Sequence, residues 1–329
     1  MEKESTLEQK ISPRKVKAFL GGALLVIIGI FIWFYYWGYN PVDFGTDDDK
    51  PYQFLFALQD AERLRRPMGV AISEKGWIYV TDGERNTVEV FDGNGKHRQT
   101  IGGTGKTEGK LNYPIAVAIS PQQEIYVADL YNQRVQIFST NGDFIKSFPD
   151  KTDAGKLGTH IMPTAITFDD EGRAFVVDVN LQRILVLDQH GKLERFFGQP
   201  GSAEGRLSYP NGIAFVSGKN WLVVSNSNNA RVDIFSTKGE FVKTIVKPTE
   251  LTNPRGVAWQ ADSELIAIVD NLSHMVKIAD LKGNIQEIIG TRGLGDGQFN
   301  FPNHSAFDQR GRLYVTDRDN RLVQVFAKE

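Results

Sequence analysis

Between Pro114 and Phe148 the apolar positions fall into four short runs separated by turn residues. The first, Pro114-Ile-Ala-Val-Ala-Ile119, ends at Ser120-Pro121-Gln122-Gln123. The second climbs from Glu124 to Asp129, and the third is centred on Gln136-Ile-Phe138. A turn at Asn141-Gly142 opens the fourth, Phe144-Ile-Lys-Ser-Phe148. Alternation with a period of two, bounded by turn formers, predicts half-buried antiparallel strands. Four in series predict one up-and-down sheet.

The same pattern returns behind Pro67, Pro163, Pro210, Pro254 and Pro302. Self-similarity at a period of about 45–50 residues marks an array of supersecondary units. A lone sheet of this kind has two apolar faces and can cover neither. Six such sheets stacked face to face around an axis cover both faces of every sheet, which predicts an all-β, six-bladed β-propeller.

The second-to-third-strand turn carries a recurring motif, Asp129-x-x-Asn132-x-Arg134-Val135. It returns as Asp178-x-x-Leu181-x-Arg183-Ile184, as Asn226-x-x-Asn229-x-Arg231-Val232 and as Asp317-x-x-Asn320-x-Leu322-Val323. Asp82 and Asp270 keep the acid without the Asn-x-Arg part. These copies resemble NHL repeats, and the resemblance implies a six-bladed NHL propeller over residues 52–329. No Trp-Asp closes a repeat, as a WD40 array would require, and only Gly102-Gly103 offers the paired glycines of kelch. A propeller fold does not by itself specify an activity.

The last copy supplies three runs and then the chain stops. Residues 52–58 have the apolar pattern of the other fourth runs, such as Leu193–Phe197 and Ile285–Ile289, and Leu64-x-x-Pro67 matches Leu111-x-x-Pro114. The segment 52–66 is therefore expected to complete the last blade, which removes open edges.

Ahead of the repeats, Ala18 to Trp37 are uncharged and include Leu24-Leu-Val-Ile-Ile28. At about 1.5 Å per residue this run matches a hydrocarbon core of roughly 30 Å. It ends in Trp33-Phe-Tyr-Tyr-Trp37 rather than a small-residue cleavage site, which favours an uncleaved signal anchor over a cleaved signal peptide. Lys3, Lys10, Arg14, Lys15 and Lys17 precede the span, and Asp43, Asp47, Asp48 and Asp49 follow it. The positive-inside rule then predicts a cytoplasmic tail at 1–17, a single-pass helix in the cell membrane at 18–37, a charged linker at 38–51 and a propeller outside the cytoplasm.

Composition narrows the chemistry. With no cysteine, thiolate nucleophiles, thiolate metal sites and disulfides are excluded. The chain has 38 Lys+Arg and 40 Asp+Glu; six and seven of these precede Pro51, leaving the repeats nearly neutral. A nucleic-acid surface would show a basic excess, so no nucleic-acid partner is expected.

Gly105-Lys106-Thr107 imitates the end of a phosphate loop, but Thr100 stands where that motif needs its first glycine, and a strand rather than a helix follows. The repeat residues Asp82, Asp129, Asp178, Asn226, Asp270 and Asp317 each begin a turn, where such side chains accept backbone N–H bonds. With Asn132, Arg134, Arg183, Asn229, Arg231 and Asn320 they read as a structural set. The residues after each opening proline should line the channel mouth: Met68, Ile115, Thr164, Asn211, Arg255 and Asn303. His304 takes the place held by Gly69, Gly212 and Gly256.

Two enzyme groups on related six-bladed propellers use this zone. Peptide-amidating lyases place metal-binding histidines directly after such prolines, and none stands there in this chain. Gluconolactonase-like enzymes hold a divalent cation partly through Pro-Asn-Gly and Pro-Asp-Gly. This chain resembles them at Pro210-Asn211-Gly212 but reads Pro254-Arg255-Gly256 where the acid belongs. No metal and no cofactor is expected.

The reading that follows is a monomeric, membrane-anchored extracytoplasmic propeller. It would act as a binding or scaffold module for a protein, peptide or envelope glycan. The alternative is a propeller enzyme with a divalent metal in the channel. The arrangement resembles the sensor domain of certain bacterial serine/threonine kinases, without a kinase. Thr164, Asn211, Arg255, Asn303 and His304 are the candidate ligand-binding residues, with the two Asn amides and the Arg255 fork as donors.

Overall fold

A computed structural model describes residues 51–328. The expected tail at 1–17 and span at 18–37, and nearly all of the linker at 38–51, lie outside the described residues. Among the described residues no helix is long and apolar enough to cross a membrane.

Six four-stranded antiparallel sheets account for the rest. Their innermost strands are Pro67–Ile72, Pro114–Ile119, Pro163–Phe168, Pro210–Val216, Pro254–Gln260 and Pro302–Phe307, in blades 1 to 6 respectively. Each of these strands contacts the next, and the sixth returns to the first, so the blades form a closed ring. Proline fits at the first residue of such a strand because its missing N–H removes no interior ladder bond.

The core lies between blades rather than within them. One cluster joins Leu64, Val70, Ile78 and Val80 of blade 1 to Tyr314, Val323 and Val325 of blade 6. Five further clusters fill the other five seams in the same way. The alternation in sequence puts one set of each strand's side chains on either face, and each face finds its partner on the neighbouring blade.

The sixth sheet is built from both ends of the described chain. Strand Tyr52–Gln59 pairs antiparallel with Leu322–Lys328, with a bulge between Phe54 and Phe56. Its place in the ring is that of any outer strand. In blades 2, 4 and 5 the turn before the fourth strand presses a glycine against the outer strand of the preceding blade: Gly142 on Gln99 and Ile101, Gly239 on Phe197, and Gly283 on Ile245. Gly95 meets Leu58 of the N-terminal strand in the same manner. At Gly283, φ is +96° and a Cβ would lie 1.7 Å from the Ile245 carbonyl oxygen, so only glycine fits.

Four short elements went unpredicted, three of them 3-10 turns at Leu130–Asn132, Ser227–Asn229 and Asn271–Ser273. The fourth, a short helix at Lys151–Leu157, bridges blades 2 and 3, capped by Asp150 (to Thr152 N, 2.7 Å, and Asp153 N, 2.8 Å) and stopped at left-handed Gly158.

Leu58 is buried in the seam between blades 6 and 1. Leu58→Ala should therefore cost about 2–4 kcal/mol, comparable to Leu64→Ala in the same cluster. Thermal or urea unfolding of the full chain reads this. A cost within about 0.5 kcal/mol, as for a surface substitution, would mean that this strand contributes little to closure.

Candidate functional site

The proline ends of the inner strands, the second-to-third-strand turns and the Gly-rich connections share one face of the ring. Its scaffold is the repeat motif. Each repeat acid, or Asn226 in its place, accepts an N–H from one or two residues before the opening proline. Asp82 accepts from Arg65 (2.5 Å) and Arg66 (2.8 Å), Asp129 from Asn112 (2.7 Å) and Asp178 from Met162 (3.0 Å). Asn226 accepts from Ser208 (2.7 Å), Asp270 from Asn253 (2.7 Å) and Asp317 from Asn300 (2.8 Å). These bonds fix where every inner strand begins.

The Asn and Arg of the motif fasten the Gly-rich connection to the same turn. Asn132 donates to Gly105 O (2.8 Å), Asn229 to Gly201 O (3.0 Å) and Asn320 to Gly293 O (2.9 Å). Arg134 binds Asp129 at 2.9 Å and donates to Thr107 O and Lys110 O, each at 2.8 Å. Arg183 pairs with Asp178 at 3.0 Å. Arg231 pairs instead with Asp233 at 2.9 Å, seven residues beyond the Asn that replaced the acid. In blade 5, Lys277 supplies the cation to Asp270 at 3.1 Å from the same seventh position. Asp233 and Lys277 escaped the sequence reading; comparison of that seventh position across copies exposes them.

Two repeat acids have no cation within 4 Å among the described residues, Asp82 in blade 1 and Asp317 in blade 6. In blade 6, Leu322 replaces the arginine, and Asp317 is held by Asn320 (2.7 Å) and Gln324 (2.9 Å) with no cation. Burial pushes its carboxyl up to about 6. Asp270 is also buried, but its Thr252, Asn253 and Lys277 partners outweigh that and hold it below the usual carboxylate range.

The channel mouth differs from expectation in one respect that matters. The two asparagines are not free amide donors. Asn211 donates to Tyr209 O (2.9 Å) and Ser227 Oγ (2.8 Å), and Asn303 donates to Met68 O at 2.8 Å across the seam from blade 6 to blade 1. Thr164 Oγ1 likewise donates to Pro210 O of the next blade at 3.3 Å. Thr164 and Asn303 latch blade to blade, because the crowded inner strands expose carbonyls that the ladder leaves unpaired, while Asn211 is held within its own blade.

His304 donates its backbone N–H to Thr316 Oγ1 at 2.9 Å, while its buried Nδ1 has no partner. Burial drives this imidazole down to about 4, so it is neutral near pH 7. Arg255 donates through Nη1 to Asn303 Oδ1 at 2.9 Å, and its buried Nε has no partner. Burial, then the nearby Arg318, lower its pKa. Both side chains stand on innermost strands and keep partial exposure, so their accessible surface faces the axis.

Aromatic residues that went unnoticed in the sequence flank this mouth. Tyr113, Tyr209 and Phe301 immediately precede the prolines of blades 2, 4 and 6, at φ of 58°, 47° and 54°. Left-handed backbone at a bulky residue, directly before proline, stores strain on the order of 1–3 kcal/mol and needs fixing from outside. Asn86 Oδ1 accepts the Tyr113 N–H at 2.6 Å, and His274 Nδ1 accepts that of Phe301 at 3.1 Å. Tyr113 stacks on Tyr131 with ring centroids 4.9 Å apart, and Arg318 lies 5.0 Å over the Phe301 ring. The legible signal was an aromatic before proline in alternate copies.

The opposite face holds a cleft of about 400 Å³ near Ser73, Ser120 and Asp169. These side chains are engaged in their own turns, at Trp77 N (3.1 Å), Glu124 N (3.0 Å) and Arg173 (2.7 Å). Among the described residues no three His, Asp or Glu side chains are grouped to hold a metal ion.

Residues 111–138 match the NHL repeat family. They cover the inner strand, motif turn and third strand of blade 2. The Drosophila melanogaster protein brain tumor is 28% identical over 134 residues, 40% of this chain and 13% of that protein. Human NHL repeat-containing protein 3 is 30% identical over 102 residues, 30% of this chain and 28% of its own length. The chain thus spans well under a third of these relatives. Virginiamycin B lyase from Staphylococcus aureus superposes with a TM-score of 0.56 at 16% identity, covering 85% of this chain and 99% of the other. Kuenenia stuttgartiensis hydrazine synthase does so at 0.59 and 14%, covering 80% and 96%. At such identities the likeness establishes the propeller fold alone.

Leu322→Arg would place a cation beside Asp317. Burial pushes the folded Asp317 carboxyl from its ordinary 3.8 up to about 6, so its contribution is fully present below pH 3.8 and is lost as pH rises through about 6. The variant should gain on the order of 1 kcal/mol over the parent at pH 7.5 and nothing at pH 4, read from paired melting curves. His304 titrates in both proteins and cancels in the difference. An equal gain at both pH values would show that the arginine acts through packing.

Proposed function

We propose that the motif-bearing face of the propeller docks a protein partner, and that a single membrane helix at 18–37 holds it outside the cytoplasm. One observation carries the docking reading. Tyr131, Tyr209, Leu272 and Leu294, each more than half exposed, all stand in turns and connections of this face. They come from three repeats, and Tyr209 rests on strained backbone. Large apolar side chains gathered on one polar-rimmed face mark an interaction surface, and NHL-repeat proteins commonly bind proteins. The membrane reading is supported by the twenty uncharged residues at 18–37 and their basic flank.

Docking is tested with the full chain cross-linked in its own membranes. Tyr131→Asp with Leu272→Asp should abolish a partner adduct that Ile288→Asp, on an outer strand, leaves intact. Retention of the same adduct by the double variant would remove this face from consideration. For topology, protease added to intact cells should cut surface loops within residues 51–329. Complete protection, with a known external protein cleaved in the same sample, would reverse the orientation.

A further inference from the structure

We propose that Arg255 forms a seat for a single carboxylate, which a peptide partner presents at the axial mouth. The inference deepens the docking reading by naming the group that enters the ring.

Three other arginines of this face, on the third strands of blades 2, 3 and 4, already have carboxylates: Arg134 at 2.9 Å, Arg183 at 3.0 Å and Arg231 at 2.9 Å. Arg255 has none within 4 Å among the described residues. One N–H of its five is engaged, by the Asn303 carbonyl oxygen at 2.9 Å. That oxygen is aimed by necessity. The Asn303 amide nitrogen donates to Met68 O, which only accepts, so Oδ1 must face Arg255. The guanidinium is thus braced across blades 5, 6 and 1 by a neutral acceptor. A deep cation without an anion is costly unless something compensates it. Nothing among the described residues does.

The seat is shaped for one charge. Arg318, the nearby cation, is answered by Asp319 at 2.7 Å and lies 5.0 Å over the Phe301 ring. The mouth therefore offers one uncompensated positive charge, which matches a monoanion better than a sulfate or phosphate dianion. A carboxylate also fits the planar fork of guanidinium donors. Tyr113, half-buried beside the opening proline of blade 2, adds aromatic surface at the mouth, so an acid carried on an aromatic residue suits the site.

The test uses small probes on the full chain in detergent, by calorimetry or nuclear magnetic resonance titration. N-acetylphenylalanine and N-acetylglutamic acid α-amide each carry one carboxylate, terminal in the first and side-chain in the second. N-acetylphenylalanine amide carries none. Either acid should bind at least about tenfold more tightly than the neutral amide, and the tighter acid identifies the source of the carboxylate. Arg255→Gln should remove that preference, and Arg255→Lys should restore part of it. Equal binding of acid and amide to the parent chain would overturn the proposal without any variant, whether or not Arg255→Gln folds. A preference that survives in folded Arg255→Gln would overturn it too, as would sulfate binding more tightly than either acid. If the acid binds through Arg255 while the Tyr131 and Leu272 variant still captures its partner, the seat stands and the docking face falls. If that variant loses its partner while the parent chain shows no acid preference, the seat falls and the docking face stands.

Discussion

Each four-stranded sheet of this protein has two apolar faces and no means of covering them alone. The buried clusters lie at the seams, one between each pair of neighbouring blades. Stability is therefore shared property: a blade is stable to the extent that both neighbours are present. The ring has to close, and the last seam needs an outer strand that the C-terminal repeat does not contain. Tyr52–Gln59 supplies it, and Leu58 of that strand reaches the glycine turn of blade 1 just as other outer strands reach theirs.

Given closed seams, the inner strands are forced close together, and the residues near the axis follow from that crowding. Gly256 has no Cβ because one would lie 2.6 Å from His304 Cα. Carbonyls left over at the proline ends are satisfied by side chains of the preceding blade: Ser227 Oγ at Pro254 O (2.5 Å), Asn271 Nδ2 at Pro302 O (2.7 Å), and Asn303 at Met68 O. The polar ring at the mouth is thus largely a set of latches. Arg255 is the member whose hydrogen-bonding capacity exceeds what the scaffold uses.

How much of this could be read beforehand depended on whether a residue acts locally. The prolines, the alternating runs and the repeat acids obey short-range rules, and the blades, their order and the N-terminal strand were legible from them. Asp233 and Lys277 were not, because each compensates a missing motif residue, the acid replaced by Asn226 and the arginine replaced by Met275, and shows only when turns are superposed. Asn211 and Asn303 looked like free donors because a sequence does not show which carbonyl will stand beside them. Tyr113, Tyr209 and Phe301 look unremarkable until the backbone places them left-handed before proline. The helix at Lys151–Leu157 had its signals in Asp150 and Gly158, but seven residues with little apolar periodicity give a weak pattern.

Departures from the repeat rules recur around the ring, with Thr87 and Met275 also standing where the motif arginine belongs, but blade 6 combines three. Blade 6 replaces an arginine with Leu322, a close-packing glycine with His304, and a core Val or Ile with Ser305. Its His304 Nδ1 and Ser305 Oγ are buried without partners, at a cost of roughly 1–3 kcal/mol each. Arg255 adjoins it through Asn303. The sheet assembled from two ends of the chain is therefore also the least optimised, although it bears the closing seam. A ring whose stability is shared among six seams can tolerate one weak blade, since the remaining five hold its neighbours in place. Local rules are expected to fail where a surface is kept for something other than folding. The concentration of unsatisfied polar groups beside an unpaired arginine, on the same face as the exposed aromatic residues, fits that expectation better than random drift around the ring would.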